Sequence, residues 1–310
     1  MNTKVFTRLI WLLLIAGVFI LPSCSPATET ETTPEPPELE SFSQGSGKLA
    51  FAAQVNKNSK YDLYLIHLRD GELFRITENA NSDIAPSLAR DGLTVAFSSD
   101  RRNTYDLYTI ALPNGEAEFV FLSSANETEP RISPDGEMIT FQSNTFGDYD
   151  IFTIIPGEQE PQRLTEDDSQ ETQPAWAPDG ERLAFVTNRD GDFEIFTMRV
   201  DGSEVEQITD NGFYDAAPAW SPDGKQIAFI SRRGAHFQLY LLDLQTGEET
   251  ALTEFLGTVH SPAWSPDGKF LAFILDQNEG SQIMVANPTS GEYFLVHEEF
   301  IKYAGLTWSE

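Results

Sequence analysis

Cysteine is nearly absent from the sequence, which has one, Cys24, in 310 residues. Intramolecular disulfides, thiolate zinc sites and CxxC redox centres all need more than one cysteine, so none of them can form. Lysine and arginine are scarce too, with 20 of them against 49 Asp and Glu and a formal charge of −29 at pH 7. A chain this acidic repels the phosphates of nucleic acid, and we expect no nucleic-acid partner.

Catalytic motifs are missing as well. The sequence has no Gly-x-Ser-x-Gly elbow, HExxH pair, P-loop or Gly-x-Gly-x-x-Gly loop. The four histidines, His67, His236, His260 and His297, follow no common spacing. We therefore expect no catalytic residue, no metal and no cofactor.

Long hydrophobic runs are limited to one segment, Leu9–Leu21, which follows Lys4 and Arg8. Its 13 residues fall short of the roughly 20 that span a bilayer, so residues 1–23 are predicted to be a signal peptide. The segment Leu21-Pro22-Ser23-Cys24 resembles a bacterial lipobox, from which Pro22 is a departure. The resemblance implies that Cys24 carries a lipid. The alternative is an ordinary signal peptide cut beside Ser23, which leaves Cys24 as a free thiol.

Residues 24–44 are rich in Thr, Glu and Pro and poor in apolar residues. Such a composition cannot form a core, so we expect a disordered acidic tether. With Cys24 lipidated, the tether would hold the rest of the chain at the bacterial cell envelope, on its periplasmic or extracellular face.

Residues 45–310 contain six copies of a repeat with a period of 44 residues. The clearest copies are PAWAPDGERLAF from Pro174, PAWSPDGKQIAF from Pro218 and PAWSPDGKFLAF from Pro262. Weaker copies start at Pro86 and Pro130. Each copy reads as four short strands, and Ser-Pro-Asp-Gly forms a tight turn between the first two. Because the repeat proline lacks a ladder donor, the first strand should lie at a sheet edge.

Four-stranded units of this length are typical of β-propellers, in which each sheet covers its apolar faces with its neighbours. We therefore predict an all-β, six-bladed propeller over residues 45–310. The first blade starts near Gly47 without a first strand, while Leu306–Ser309 is a first strand without a blade. These two parts should pair and close the ring.

The repeat resembles the TolB-type propeller repeat, also called the WD-like Pro-Asp repeat, and the resemblance covers about 85% of the chain. WD-repeat proteins proper fit less well, because no Gly-His or Trp-Asp signature is present. TolB proteins carry a further domain before the blades, where this sequence has the tether. The resemblance implies a binding protein.

Acidic residues recur three positions before the repeat prolines, and we expect them to form an arc at one mouth of the channel: Asp83, Glu127, Glu171 and Asp215. One interpretation is a cation site, since calcium prefers carboxylate and carbonyl oxygens. The favoured interpretation is structural, with the carboxylates accepting hydrogen bonds from loops or pairing with arginines. The candidate arginines are Arg101, Arg102, Arg189, Arg232 and Arg233.

Aromatic residues and a histidine occur only in the later loops between blades: Phe213, Tyr214, Phe255, His260, Phe300 and Tyr303. These are our candidate ligand-binding residues, because aromatic side chains bury much area at little entropic cost. The alternative is that they pack beneath their own loops as local core.

Together these features favour a monomeric, lipid-anchored binding or scaffold propeller that recognises a protein or a cell-envelope polysaccharide through one channel mouth. The competing class is a propeller enzyme, such as a metal-assisted polysaccharide lyase or hydrolase acting at the acidic mouth.

Replacing Cys24 by Ala should release the protein from membranes, because the anchor would be the lipid on that side chain. Detergent-phase partitioning measures this directly. If the Cys24→Ala protein still enters the detergent phase, the anchor is a retained apolar segment and lipidation is wrong.

Overall fold

A computed structural model describes residues 47–278 and 280–310, which form six four-stranded antiparallel sheets. The expected signal peptide, the lipid site at Cys24 and the acidic tether lie outside the described residues and stay predictions. No helix in the described ranges has the length and apolarity needed to cross a bilayer.

Each sheet is one blade of a propeller. The strands of blades 1 and 2 are β1 (Lys48–Gln54), β2 (Asp62–His67), β3 (Leu73–Arg75), β4 (Asp83–Leu88), β5 (Thr94–Ser99), β6 (Asp106–Ala111) and β7 (Ala117–Phe121). Those of blades 3 and 4 are β8 (Glu127–Ile132), β9 (Ile139–Ser143), β10 (Asp150–Ile154), β11 (Gln162–Arg163), β12 (Glu171–Trp176), β13 (Arg182–Thr187), β14 (Glu194–Arg199) and β15 (Glu206–Gln207). The remaining strands are β16 (Asp215–Trp220), β17 (Gln226–Ser231), β18 (Gln238–Asp243), β19 (Glu249–Ala251), β20 (Thr258–Trp264), β21 (Leu271–Gln277), β22 (Gly280–Ala286), β23 (Tyr293–His297) and β24 (Lys302–Ser309).

The ring is closed by β24, which pairs with β1 as the innermost strand of blade 1. Trp308 lies opposite Leu49 and Leu306 opposite Phe51 in this register. The six innermost strands contact one another around the channel, and β24 touches both β20 and β4. The predicted six-bladed propeller and its closure by the C-terminal strand are confirmed.

One phenylalanine at the centre of each second strand is fully buried, and these six residues anchor the packing between blades: Phe51, Phe97, Phe141, Phe185, Phe229 and Phe273. In blades 1 to 5 an aromatic ring of the third strand lies 5.6 to 6.1 Å from it, centroid to centroid. Each such side chain contributes about 1.5–3 kcal/mol by leaving water. This explains the phenylalanine that ends the Ile/Leu-Ala-Phe segment of the repeat.

The threonine that ends a repeat joins the fourth strand to the third. In four blades its hydroxyl oxygen accepts the N–H of the third strand's second residue at 2.9 Å. The pairs are Thr77 with Leu63, Thr165 with Ile151, Thr209 with Ile195 and Thr253 with Leu239. A buried N–H needs an acceptor, and the hydroxyl supplies it where the fourth strand has ended.

A bulge interrupts every innermost strand just before the repeat proline. In blades 2 to 6 the bulged residue has a left-handed backbone with φ between 50° and 54°, as at Ala85 and Ser261. The equivalent residue of β24 is Gly305, with φ 57°. A Cβ on Gly305 would lie 3.0 Å from both Ala85 Cα and Pro86 Cδ, so a larger residue would crowd the first strand of blade 2. The prolines lie on edge strands, as expected from the sequence.

Deleting residues 306–310 should lower the melting temperature markedly, because β1 loses its partner and two apolar sheet faces become exposed. Truncating one buried Trp such as Trp308 already costs about 3–5 kcal/mol, a large part of a typical domain stability of about 5–15 kcal/mol. Removal of the exposed Glu310 alone is the control. Calorimetry showing equal melting temperatures for both deletions would mean that the ring does not depend on this strand.

Candidate functional site: the two mouths of the channel

The innermost strands all run in the same direction and give the channel two different mouths. The end at which they begin, formed by the loops between blades, is here called the loop mouth; it includes residues 208–214, 254–257 and 298–301. The end at which they finish, formed by the hairpins at residues 89–92, 133–136, 177–180, 221–224 and 265–268, is the hairpin mouth.

The four acidic residues begin their strands at the loop mouth, but all four are 0% exposed. Asp83 accepts a hydrogen bond from Asn79 Nδ2 at 2.6 Å and pairs with Arg101 at 3.1 Å. Glu127 accepts from the hydroxyls of Ser123 at 2.7 Å and Ser143 at 2.9 Å.

The other two acidic residues have partners of the same kind. Glu171 accepts from Thr187 Oγ1 at 2.8 Å, with Arg189 3.5 Å away. Asp215 accepts from Asn211 Nδ2 at 2.8 Å. Each carboxylate therefore ties an innermost strand to nearby loop or second-strand groups, and none of the four presents an oxygen to solvent in the channel.

Three of the candidate arginines have other roles. Arg189 also pairs with Asp167 at 2.7 Å. Arg233 pairs with Glu249, and its guanidinium lies 4.1 Å from the ring centroid of Tyr240. Arg232 lies over Phe237. In the described ranges, the four acidic residues therefore form ion pairs within 4 Å with only two of the candidate arginines, Arg101 and Arg189.

Burial raises the pKa of three of the acidic residues. The pKa of Asp215 rises to about 6, because burial outweighs hydrogen bonds from Ser231 and Asn211. Burial likewise raises the pKa of Glu127 and Glu171, although hydroxyl donors counteract it. These carboxyls take up protons at higher pH than exposed ones.

Three of the six candidate binding residues pack into the fold. Tyr303 is 2% exposed, and its hydroxyl contacts His297 Nδ1 and accepts the N–H of Phe300. Phe300 lies 4.5 Å from the ring of Tyr64, centroid to centroid. Phe255 packs against Phe273 and Tyr293. These three aromatic side chains form local core.

The other three candidates are more accessible. Phe213 and Tyr214 are 39% and 40% exposed at the loop mouth. His260 is half-buried, with Nδ1 3.1 Å from Ser261 Oγ and Nε2 3.5 Å from Asp276. The binding role of the six candidates stays a prediction, and Phe213 and Tyr214 are the most exposed of them.

Two exposed aliphatic residues at the loop mouth were missed by a search restricted to aromatics. Leu256 is 84% exposed on the loop after blade 5, and Ile301 is 40% exposed on the loop after blade 6. The signal available in the sequence was an apolar residue inside an otherwise polar connection.

The hairpin mouth contains a cavity of about 340 Å³, which sequence reasoning also missed. Four tryptophans line it: Trp176, Trp220, Trp264 and Trp308. Arg131 and Glu129 line it as well. The four tryptophans share one position of the repeat, which is the signal in the sequence that places them at one end of the channel.

In the described ranges, one group of three potential metal ligands lies within reach of a single ion, and it consists of His67, Asp70 and Glu72. They lie in and beside the β2–β3 hairpin of blade 1, and the two carboxylates are exposed. β3 is the outermost strand of its sheet, so this group is distant from the innermost strands.

Protonation of the buried carboxyls should raise the melting temperature as the pH falls from about 7.5 to about 5, since these groups bind protons more readily in the folded state; the pKa of His297, which burial lowers, acts in the opposite direction. Asp215 contributes because its folded pKa, about 6, exceeds its ordinary value of 3.8. The stabilisation gained by protonating Asp215 grows as the pH falls through the folded pKa and is absent well above that pH. Asp215→Asn should therefore show a smaller rise in melting temperature.

The matched control is Asp168→Asn, because Asp168 is exposed on a loop between blades. Its melting temperature should follow that of the parent across the pH range. Identical pH profiles for the parent and Asp215→Asn would contradict the raised pKa.

Comparison with solved structures gives the same fold at low sequence identity. TolB from Acinetobacter baumannii superposes with a TM-score of 0.75 at 20% identity, covering 85% of this chain and 66% of that chain. This chain thus spans just under two thirds of that protein's length. A putative TolB from Agrobacterium tumefaciens gives a TM-score of 0.68 at 20% identity, covering 83% of this chain and 90% of that one. An oligogalacturonate lyase in complex with manganese gives 0.58 at 17% identity, covering 83% and 75%.

A search of curated proteins gives no match. The model of the TolB beta propeller domain matches three overlapping segments, residues 39–154, 122–240 and 216–300. These segments together cover most of the sequence and all but the last strand of the ring. The chain belongs to the TolB beta propeller domain family.

Proposed function

We propose that this protein is an exported binding propeller, anchored by a lipid on Cys24, that recognises a protein or a cell-envelope polymer through its loop mouth. The observation that carries the proposal is the set of exposed apolar side chains on its inter-blade loops; Val55 and Phe146 are exposed at the same end, in the second-to-third-strand loops of blades 1 and 3. Phe213, Tyr214, Leu256 and Ile301 are all exposed there, on the loops after blades 4, 5 and 6. Among the described residues, the loops after blades 1 to 3 carry no exposed large apolar side chain.

Such apolar side chains on a strongly acidic molecule are typical of an interaction surface. Tyr214 is also held in place before binding, with the ring of Phe193 at 4.7 Å and that of Phe237 at 5.4 Å, centroid to centroid. A side chain already fixed in position loses little entropy when a partner covers it.

Membership of the TolB propeller family supports a binding role, because it supplies the scaffold on which these loops are placed. The structural similarity to an oligogalacturonate lyase is one of fold and carries no activity to this chain. The proposal is therefore a binding protein, and the enzyme alternative from the sequence is judged by assaying turnover of acidic and neutral polysaccharides.

The test compares two matched double variants in capture from envelope extracts. Phe213→Ser with Leu256→Ser removes two exposed apolar groups from the loop mouth. Capture of a specific partner should weaken by about tenfold or more, since a few apolar anchors dominate most interfaces. Quantitative mass spectrometry of the bound fraction, followed by affinity measurement with the captured partner, gives the result.

The control is Phe119→Ser with Leu93→Ser, which changes the same residue types. Phe119 is 66% exposed on β7, and Leu93 is 54% exposed beside a hairpin of blade 2. This variant should capture the partner like the parent. Equal loss in both variants, or in neither, would show that binding does not use the loop mouth.

A further inference from the structure

The cavity at the hairpin mouth has one apolar side. The tryptophans come from blades 4, 5 and 6 and from β24 of blade 1, and Ala175, Ala219 and Ala263 lie beside three of them. Two indoles are fixed by the neighbouring blade, because Trp176 Nε1 donates to Arg131 O at 3.0 Å and Trp264 Nε1 to Ala219 O at 3.1 Å. Of the three alanines, Ala219 is the most accessible, since Ala175 and Ala263 are each 8% exposed.

The side formed by blades 2 and 3 is different. The tryptophan position is occupied by Leu88 and Ile132, and the alanine position by Ser87 and Arg131. In a six-membered ring these two blades lie across the channel from blades 5 and 6, so polar groups face the apolar side. In these two blades the Ala-Trp pair of the repeat is therefore not kept.

Arg131 forms an ion pair with Glu129 at 2.7 Å, and each side chain remains about a third exposed, at 31% and 30%. Arg131 also donates to Pro130 O at 2.9 Å, which holds the guanidinium in position. The pair presents N–H donors and carboxylate oxygens side by side with little net charge. It can therefore bind neighbouring hydroxyl groups, which both donate and accept hydrogen bonds.

We propose that this cavity binds one or two rings of a neutral pyranose sugar. A pyranose has an apolar C–H face that fits the alanine and tryptophan side, and an edge of hydroxyl groups that fits Arg131 and Glu129. The volume of about 340 Å³ lies at the lower end of small-molecule sites, which is suited to the end of a glycan. The formal charge of −29 opposes binding of a polyanion.

An apolar or proline-rich peptide is the competing ligand. It would contact the tryptophan side, but it would displace water from the Arg131–Glu129 pair without supplying hydrogen bonds in its place. The loss of those hydrogen bonds costs binding free energy. The sugar satisfies both sides of the cavity. This inference concerns the hairpin mouth and goes beyond the loop-mouth function proposed above, so either can fail alone.

Tryptophan fluorescence is a specific probe of this cavity. The chain has 5 tryptophans, and all of them except Trp11 line the cavity. The protein carries Trp11→Phe, so that the predicted signal peptide adds no fluorescence where it is retained. It is held in a zwitterionic detergent without a sugar headgroup and titrated with maltose, cellobiose and N,N′-diacetylchitobiose. At least one of these should give a saturable fluorescence change, whereas digalacturonate should bind more weakly.

Two variants test the assignment to the cavity. Ala219→Leu fills the apolar side, and Arg131→Ala removes the donor. Each should weaken binding by about tenfold or more. For Arg131→Ala the reason is that a hydrogen bond to a charged group contributes a factor of that size. The controls are Ala251→Leu, on the exposed strand β19, and Arg182→Ala, from an ion pair of blade 4 with Glu204 and Glu206. Both controls should bind like the parent.

Melting curves of all four variants show whether the fold is intact. The proposal is overturned if no neutral disaccharide gives a saturable change at millimolar concentrations, or if folded Ala219→Leu and Arg131→Ala proteins bind like the parent. It is also overturned if digalacturonate binds at least as tightly as the neutral sugars, or if a polyproline peptide saturates the fluorescence change while the sugars do not.

Discussion

A four-stranded sheet with two apolar faces cannot stand alone in water, and this constraint determines the architecture of the molecule. Each blade buries its faces only against the blades on both sides, with one fully buried phenylalanine per second strand at the centre. Such an arrangement has no free end only if it is circular. The pairing of β24 with β1 makes it circular and gives blade 1 its innermost strand. The channel and both of its mouths exist because of that closure.

Most of the fold could be predicted from the sequence, because its signals are local and recur from one repeat to the next. A proline without a ladder donor, a Ser-Pro-Asp-Gly turn and a Leu-Thr ending each report on their own few residues. The sites were harder to predict. Tyr303 and Tyr214 differ by one repeat position, yet one is 2% and the other 40% exposed. Tyr303 takes the repeat position of Asp215, which is buried in every blade, whereas Tyr214 stands one residue before it. The spacing distinguishes the two tyrosines, but the burial of that position is a property of the packed ring.

The acidic residues illustrate the same limit. Their spacing from the repeat proline places them at the loop mouth, but it does not show whether they face the channel or lie beneath the loops. In the structure they lie beneath the loops, held by hydroxyl, amide and guanidinium donors. The donors hold one oxygen of each carboxylate, while the second oxygen is buried without a hydrogen-bond partner among the described residues. The loop mouth is therefore built on a buried polar layer, with the apolar side chains of its loops above it.

The closure of blade 1 also has a consequence for the timing of folding. Blades 2 to 6 are each made from one continuous stretch of chain, so their strands can pair once they have been synthesised, and each blade then waits only for its neighbours to cover its apolar faces. Blade 1 joins β1 to β24, which are separated by nearly the whole described chain, and closing so long a loop is entropically slow. Until β24 arrives, the inner edge of β1 has no strand to pair with. The last strand to be made is thus the one that decides when the molecule becomes a ring.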